Sequence, residues 1–310
     1  MANEISVASM VSDGALAAYV VGDYRARNAR PDDLRAVLER REWQPNSGAS
    51  SARTGLFDDD FTFASASSEV SGGASNTDPD WGYFGLTPAR KLLKFQLTDL
   101  MTGTRGPNGA DPALFVGIML RATGKTITDM VCAAAAAATE EVGDSAQPMS
   151  VDFIMDAKTQ LSETSTPGPY HVVMTARAFG ELQESARGEH GALSWQEATA
   201  EVINATGGTY KGTIAGVNVW VTDKVDTTDA GATAQNFMFG GGAFAYTEAP
   251  AAAFMADALA ANAAILDLGA LAVELDRDAE NGLTALIGNY YPAVALIQDL
   301  AVVRIETVNA

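Results

Sequence analysis

Residues 111–143 read DPALFVGIMLRATGKTITDMVCAAAAAATEEVG, and this stretch predicts the long helix around which the rest of the fold is arranged. Asp111 is a favoured helix-capping residue, and Pro112 suits the first helical position, where its missing N–H would have no partner anyway. A continuous helix of this length would span about 50 Å at about 1.5 Å per residue. Gly117 and Gly124 leave room for a kink, so the pattern leaves open whether the helix is continuous.

Six consecutive alanines, residues 133–138, lie near the end of this pattern. Alanine is the strongest helix former but buries little apolar surface, so the run predicts a stiff rod against which other surfaces pack closely. The preceding Cys132 is the only cysteine of the chain, which excludes an internal disulfide. Its alanine-rich setting predicts a buried thiol that acts as a small apolar side chain.

The chain of 310 residues is 47% hydrophobic, which is enough for a substantial core, and it carries a net charge of −19. All of that charge arises after residue 53, where 13 basic residues are set against 32 acidic ones. Such a surface repels nucleic acids and anionic membranes, because both are bound through clustered Lys and Arg. Every unbroken apolar run is far shorter than the roughly 18 residues of a membrane span. These features argue against a nucleic-acid-binding protein and against a membrane protein.

The N-terminal part of the chain predicts an arm followed by a projecting loop. Residues 31–42, PDDLRAVLERRE, predict a short helix, with acids in the first turn and Arg40 and Arg41 in the last, opposing the helix dipole. Residues 44–80 are rich in small and polar side chains, and a structureless insert of that length is unusual in a compact domain. We therefore predict a loop with hairpin character that returns through residues 86–101, LTPARKLLKFQLTDLM.

The middle of the chain predicts helices interleaved with a strand. Residues 150–162 predict a helix, and residues 166–185 predict a turn, a buried strand and a second helix. Ser194 and Glu197 have the spacing of a capping box, which predicts a third helix that ends near Gly207.

Strands dominate the predicted C-terminal part. Asn281-Gly282 is a strong hairpin signal between two of them. In chain order we predict a half-buried strand at 217–222, a strand with a central glycine bend at 236–248, a helix at 250–265, a strand at 268–278 and a closing strand at 293–308.

No arrangement of side chains in the sequence predicts catalysis. RATGKT at 121–126 ends like a phosphate-binding loop, but Met119 occupies the position of that motif's first glycine. His171 opens a predicted buried strand and His190 lies in a polar loop, so neither has a partner at metal-ligand spacing. We therefore predict no catalytic residue, no cofactor and no metal ion.

From about residue 86 to residue 310, the order and spacing of these elements resemble the major capsid proteins of tailed bacteriophages, which have the Hong Kong 97-type fold. LTPARKLLKFQLTDLM is similar to the return strand of that family's extended loop, and DPALFVGIML through AAAAAATEEVG resembles its long spine helix. PYHVVMTARAFGELQ resembles the strand-helix unit of the axial domain, and GTIAGVNVWVTDKV with NFMFGGGAFAYTE resembles the strands that follow it. The segment from LAVELDRD to VVRIET is similar to the peripheral-domain hairpin and the final strand.

The resemblance implies an α+β fold with an N-terminal arm, an extended β-hairpin loop, a long spine helix, an axial domain and a peripheral domain. In such a shell subunit, the spine alanines either allow neighbouring arms and loops to approach closely or pack against the sheet of the same subunit. The implied boundaries are 1–49 for the arm, 50–100 for the extended loop, 101–145 for the spine helix and the first part of the peripheral domain, 146–262 for the axial domain and 263–310 for the peripheral-domain strands.

The resemblance also implies a structural protein that is not an enzyme. It would self-assemble into the icosahedral capsid that encloses the double-stranded DNA genome of a tailed bacteriophage, made in the host bacterial cytoplasm and located in the virion. Its partners would be its own copies in hexamers and pentamers, a separate scaffolding protein, a portal and a decoration protein, with DNA enclosed without specific binding and no membrane. An encapsulin-like shell around protein cargo is the alternative, and an enzyme with an acidic metal site is the alternative from another class.

The distribution of charge predicts one set of contacts between subunits. On a strand, residues 90 and 94 share a face and residue 91 points away, so we expect Arg90 and Lys94 to meet one surface and Lys91 another. We expect their partners to be the acids of the loop itself and the acidic body of a neighbouring subunit. The candidate contact residues are Asp58, Asp59 and Asp60 on the outgoing limb of the loop and Arg90, Lys91 and Lys94 on the returning limb.

Overall fold

The computed structural model describes residues 33–43, 52–57, 81–98, 112–188, 196–199, 209–261, 265–278 and 280–309. These residues form one long helix, three shorter α-helices and four β-sheets. The fold is therefore α+β, as predicted.

The long helix α1 covers Pro112–Ala135 as one uninterrupted segment of 24 residues, about 36 Å long at about 1.5 Å per residue. It runs through both of its glycines without a kink. Gly124 has a packing role, because a Cβ built there would lie 2.9 Å from Cγ of Asp33, where the N-terminal segment crosses the helix. The glycine thus permits the close approach of a neighbouring segment at this point.

The prediction that the helix continues to Gly143 is wrong, because α1 ends inside the alanine run. Glu140–Gly143 forms strand β5, which pairs in parallel with strand β17, Val302–Val308. Arg304 of β17 donates from Nη1 to the carbonyl of Ala136 at 3.2 Å, which satisfies an acceptor that the helix leaves open. Pairing with a strand far along the chain has overridden the local helix preference of alanine.

The helix predicted at residues 31–42 is also wrong. The structure has a 3₁₀ turn at Arg35–Val37 and a two-residue strand β1, Glu39–Arg40. Strand β1 pairs in parallel with β12, Phe244–Glu248, and the N–H of Arg41 donates to the carbonyl of Tyr246 at 2.9 Å. Backbone partners on β12 replace those that a local helix would have supplied.

The largest sheet has the strand order β5-β17-β11-β6-β9-β8-β7, with β10 paired to β11. Helix α2, Val151–Glu163, and helix α3, Ala176–Gly188, confirm two predicted helices, and Ser150 caps α2 by accepting from the N–H of Phe153 at 3.3 Å. The remaining strands of this sheet are β6 Tyr170–Met174, β7 Gln196–Glu197, β8 Tyr210–Ile214, β9 Val217–Val221, β10 Thr227–Thr228 and β11 Thr233–Phe239.

Two predictions within this sheet need correction. The helix predicted from Ser194 does not start there, because Gln196 and Glu197 form β7 and pair with β8. The rest of that predicted helix lies outside the described residues. Strand β9 is present as predicted but is buried on both faces, since Val219 packs beneath the helices and Trp220 packs on the opposite side.

A glycine-rich turn carries the chain from the large sheet into a three-stranded sheet of order β1-β12-β16. The single strand predicted at 236–248 is in fact β11 and β12, which lie in different sheets. A Cβ at Gly240 would lie 2.3 Å from Cγ2 of Thr166, so the chain passes here only without a side chain. The predicted closing strand divides similarly into β16, Pro292–Leu296, and β17, separated by a 3₁₀ turn at Asp299–Ala301.

A four-stranded antiparallel sheet has the order β13-β14-β15-β4. The hairpin predicted at Asn281-Gly282 is confirmed, with Asp278 paired to Leu283 and Gly282 at a φ of 61°. The predicted alanine-rich helix is present as α4, Ala252–Ala261. The strands are β13 Ile265–Asp267, β14 Leu271–Asp278, β15 Leu283–Tyr290 and β4 Lys91–Thr98.

The predicted hairpin character of the loop is confirmed by β2, Ala52–Phe57, which pairs with β3, Trp81–Leu86. The return limb of this hairpin is β3, whereas the segment predicted as the return limb forms β4 and pairs with β15. The domain boundaries stay a prediction. Strands β4 and β17 each join a sheet whose other strands come from distant parts of the chain.

Two hydrophobic clusters flank the large sheet. One lies between that sheet and helices α2 and α3, with Ile154 and Leu182 at its centre. The other is continuous from the opposite face of the large sheet to α1 and the three- and four-stranded sheets, and it includes Phe237, Ile127 and Leu286. Helix α1 therefore packs against the sheets of its own subunit, as one of the two interpretations of its alanines requires.

Candidate inter-subunit surface

The described residues contain no group of three or more His, Cys, Asp or Glu side chains placed to hold a metal ion. The RATGKT segment lies within α1 and forms no loop. None of the described helices is long and apolar enough to cross a membrane.

Arg90 lies immediately before β4 and is anchored within its own subunit. Its Nε and Nη2 donate to Oδ1 of Asn289 at 2.9 and 2.5 Å, and the Asn289 amide donates to Oε1 of Glu274 at 2.9 Å. Asn289 is fully buried, so this chain of hydrogen bonds satisfies a polar group inside the sheet. Much of the hydrogen-bonding capacity of Arg90 is thus used within the subunit.

Strand β4 is an edge strand that presents alternate residues to the core and to solvent. Leu93 and Phe95 pack against the main hydrophobic cluster, whereas Leu92, Lys94 and Gln96 alternate with them and are exposed. Leu92 is 59% exposed, more than any other large apolar side chain among the described residues.

Of the candidate contact residues, Arg90, Lys91 and Lys94 are described and all three are exposed. Arg90 contacts Asn289, which lies opposite Leu92, so Arg90 and Lys94 are on the same side of the sheet, as predicted. Lys91 lies opposite Tyr290, on the side of Leu93. Asp58, Asp59 and Asp60 lie outside the described residues, so their pairing with the basic cluster stays a prediction, as does every contact with a neighbouring subunit.

The outward side of β4 continues across β15 and β14. Lys94 lies opposite Ile287, and Ile287 lies opposite Glu274. One step along the strands, Gln96 and Asp276 lie on either side of Ala285. Because directly opposed side chains point to the same side of a sheet, we define the outer face as Leu92, Lys94, Gln96, Ile287, Glu274 and Asp276.

Sequence reasoning missed Asn289, Glu274 and Ile287. Asn289 had a signal, since it is a lone polar residue in the apolar stretch that follows the Asn281-Gly282 hairpin signal. No signal in the sequence indicated the alignment of Lys94 with Glu274, because it depends on the pairing of β4 with a hairpin far along the chain.

His171 was predicted to be a hydrogen-bonded histidine at a strand end, and the structure confirms this. Its Nδ1 accepts from Nε1 of Trp220 at 3.2 Å, and its ring stacks on Phe239 with centroids 5.4 Å apart. Burial lowers the pKa of His171 to about 4. The side chain is therefore neutral at physiological pH and has a structural role.

Acidification is expected to destabilise the subunit through His171. In the unfolded chain this histidine takes up a proton near pH 6.5, whereas in the folded chain it does so only near pH 4. The unfolded state thus binds more protons between these values, and the free energy of unfolding should fall by about 1 kcal/mol per pH unit as the pH drops from 6.5. Urea unfolding of the unassembled subunit at pH 7.0 and 5.0 measures the loss.

The control for this prediction is His171→Gln, which offers Trp220 an acceptor but does not titrate. Its loss of stability between the two pH values should be smaller than that of the natural protein. Equal losses would mean that other groups account for the acid sensitivity.

Solved structures provide the decisive comparison for the fold. The chain matches the head structure of Helicobacter pylori bacteriophage KHP40 with a TM-score of 0.61 and 9% identity, over 91% of each chain. It matches the capsid structure of the cyanophage P-SCSP1u with a TM-score of 0.58 and 11% identity, over 88% of this chain and 87% of the other. The chain has the Hong Kong 97 fold. Identities this low establish the fold alone.

The Hong Kong 97 fold also links this chain to a second kind of shell. It matches the holo-SrpI encapsulin complex from Synechococcus elongatus PCC 7942 with a TM-score of 0.60 and 9% identity, over 88% of this chain and 85% of the other. No family model matches the sequence, and no curated protein matches it.

Within the Hong Kong 97 fold of this chain, a largely buried ionic cluster ties the segment 33–43 to the body of the subunit. Arg35 forms ion pairs with Asp33 and Glu248, each at 2.7 Å, and Tyr290 donates to the same Glu248 oxygen at 2.5 Å. Burial alone would lower the pKa of Arg35, but the hydrogen bonds and charge of Asp33, with the charge of Glu248, outweigh it and raise that pKa. Arg35 is thus held charged between two carboxylates, and it fixes the segment against β12 and β15.

Proposed function

We propose that this chain is the major capsid protein of a tailed bacteriophage. The observation that carries the proposal is the match of its fold, over about nine tenths of both chains, to a phage head structure. The protein catalyses no reaction and acts by assembling with its own copies.

The proposed assembly is an icosahedral shell of hexamers and pentamers, built in the host bacterial cytoplasm with a separate scaffolding protein, a portal and a decoration protein. We assign 1–49 to the arm, 50–100 to the extended loop, 101–145 to the spine helix and first peripheral segment, 146–262 to the axial domain and 263–310 to the peripheral strands. Arg90, Lys91 and Lys94, with Asp58, Asp59 and Asp60, are assigned to contacts between subunits. The acidic surface supports enclosure of DNA without specific binding.

The encapsulin match supports one alternative, a shell of the same architecture that encloses protein cargo. The two functions differ in what the particle contains. A capsid would fill with DNA during packaging, whereas an encapsulin would copurify with a cargo protein bound to its inner surface.

The contents of the particles test the proposal. The chain, produced in its native host with the genes that flank it, should sediment as large particles that protect DNA from nuclease. Particles that contain a stoichiometric second protein and no protected DNA would support the encapsulin alternative. A chain that sediments only as a monomer under every condition, including with the flanking gene products present, would contradict both.

A further inference from the structure

The outer face of the four-stranded sheet divides into three rows of different chemistry. Strand β4 contributes one cation, Lys94, between Leu92 and Gln96, and Arg90 lies just before the strand. Strand β14 contributes an acidic row with Glu274 and Asp276. Strand β15, between them, contributes the apolar Ile287. A row with one cation, an apolar row and an acidic row thus lie side by side across one face.

Part of this face is already covered within the subunit. Ala272, at the α4 end of the sheet, is fully buried in a cluster with Met255 and Tyr291. Arg90 covers Asn289. The part that stays open runs from Leu92 past Lys94 and Ile287 to Asp276, where Leu92, Lys94 and Asp276 are exposed and Ile287 and Glu274 are half-buried.

We propose that this outer face is a self-complementary contact, and that its occupant is the outer face of a second copy of the chain. The inference rests on the proposed function, since a shell subunit must meet its own copies. A contact between identical patches has two-fold symmetry. When one residue of the first copy contacts another residue of the second copy, the same two positions are also in contact with the two copies exchanged.

The charges select one orientation of the two-fold axis. An axis parallel to β15 places β4 of one copy over β14 of the other, so Lys94 faces Glu274 and Asp276 in both halves of the contact. An axis perpendicular to the strands would instead place β4 over β4 and β14 over β14, where like charges oppose one another. Both arrangements stack the two β15 rows, with Ile287 near the axis. Only the first also pairs opposite charges.

The high negative charge of the chain opposes contacts between two copies. Two copies that each carry a net charge of −19 repel one another, so a stable contact requires a surface where basic residues meet acids. Apolar burial of Leu92 and Ile287 supplies affinity, and the charged rows supply orientation.

A charge exchange across the outer face tests the inference. Lys94→Glu places three acids against those of the partner copy, and Asp276→Lys places a cation against Lys94 of the partner. Each single variant should fold normally, because both side chains are exposed, but should lower the yield of shells at least tenfold at low salt. The double variant Lys94→Glu/Asp276→Lys sets the new acid of each copy beside the new cation of the other, although Glu274 still opposes that acid, and should recover part of the yield.

The matched control is Arg187→Glu, the same change of charge at an exposed position on α3, which should leave the yield unchanged. The yield of Lys94→Glu should rise in 0.5 M salt, where the repulsion is screened. If the natural chain forms shells and Lys94→Glu forms them equally well, the outer face is not a contact and the proposed function still stands. If both single variants fail and the double variant fails equally, the two-fold arrangement is wrong. A natural chain that forms no shells would instead overturn the proposed function.

Discussion

Replacement of Arg35 by methionine is expected to lower the free energy of unfolding of the subunit by about 3 kcal/mol. The Arg35 side chain is only 14% exposed between Asp33 and Glu248, and its removal takes away the guanidinium that pairs with both carboxylates. Breaking a buried ion pair by removing one partner costs about 3–5 kcal/mol, because a charge is then buried without compensation. Urea unfolding of the unassembled variant measures the change.

Arg177→Met is the matched control, since Arg177 pairs with Glu181 at 2.9 Å but is 48% exposed. An exposed pair one helical turn apart contributes about 0.3–0.5 kcal/mol, so this variant should unfold almost as the natural protein does. A loss below 1 kcal/mol for Arg35→Met would mean that the segment 33–43 is not fixed by the ionic cluster. We expect the further replacement Glu248→Gln to recover part of the stability that Arg35→Met loses. If the cluster does not fix the segment, this second replacement should recover nothing.

Truncation of Phe239 to alanine is expected to destabilise the subunit by about 3–5 kcal/mol. Phe239 is fully buried where the large sheet meets the three-stranded sheet. Its ring stacks on His171 and meets Phe244 edge-on with centroids 5.3 Å apart. The alanine variant loses these contacts and leaves a cavity that the two sheets cannot close. The midpoint of thermal unfolding and the urea unfolding curve both report the loss.

Phe254→Ala makes the same chemical change on α4, where the ring is 41% exposed. Its ring stacks on Tyr291 with centroids 4.6 Å apart, so some stability is lost, but less than half as much as at Phe239. Equal effects at the two positions would contradict the assignment of Phe239 to the centre of the continuous core.

Local patterns predicted those elements whose partners lie close in sequence. The β14–β15 hairpin follows from the predicted strand at 268–278 and the Asn281-Gly282 signal after it. Helix α2 follows from its cap at Ser150 and its apolar periodicity. In these cases the local preference and the final structure agree, so the sequence is sufficient.

The failures have a common physical cause, which is pairing with a distant strand. The local pattern predicts helix as far as Gly143, yet Glu140–Gly143 forms β5, which pairs with β17. The segment 31–42 has helix-like charges, yet β1 forms on the edge of β12. Such partners belong to the assembled fold and leave no mark on the local pattern.

The same limit applies to the candidate site. The charges of Arg90, Lys91 and Lys94 are evident in the sequence, and the alternation of a strand predicts which of them share a face. Their acidic counterparts across the sheet, Glu274 and Asp276, are brought into line only by the register of β4 on β15. The three-row pattern of the outer face therefore required the structure.

Electron microscopy of the purified chain tests the central claim most directly. If the chain is a shell subunit, micrographs at high protein concentration, with and without the products of the flanking genes, should contain rings, tubes or closed icosahedral shells. A reconstruction should then accommodate α1 and the four sheets in each subunit. A uniform population of monomers under all of these conditions would contradict the claim.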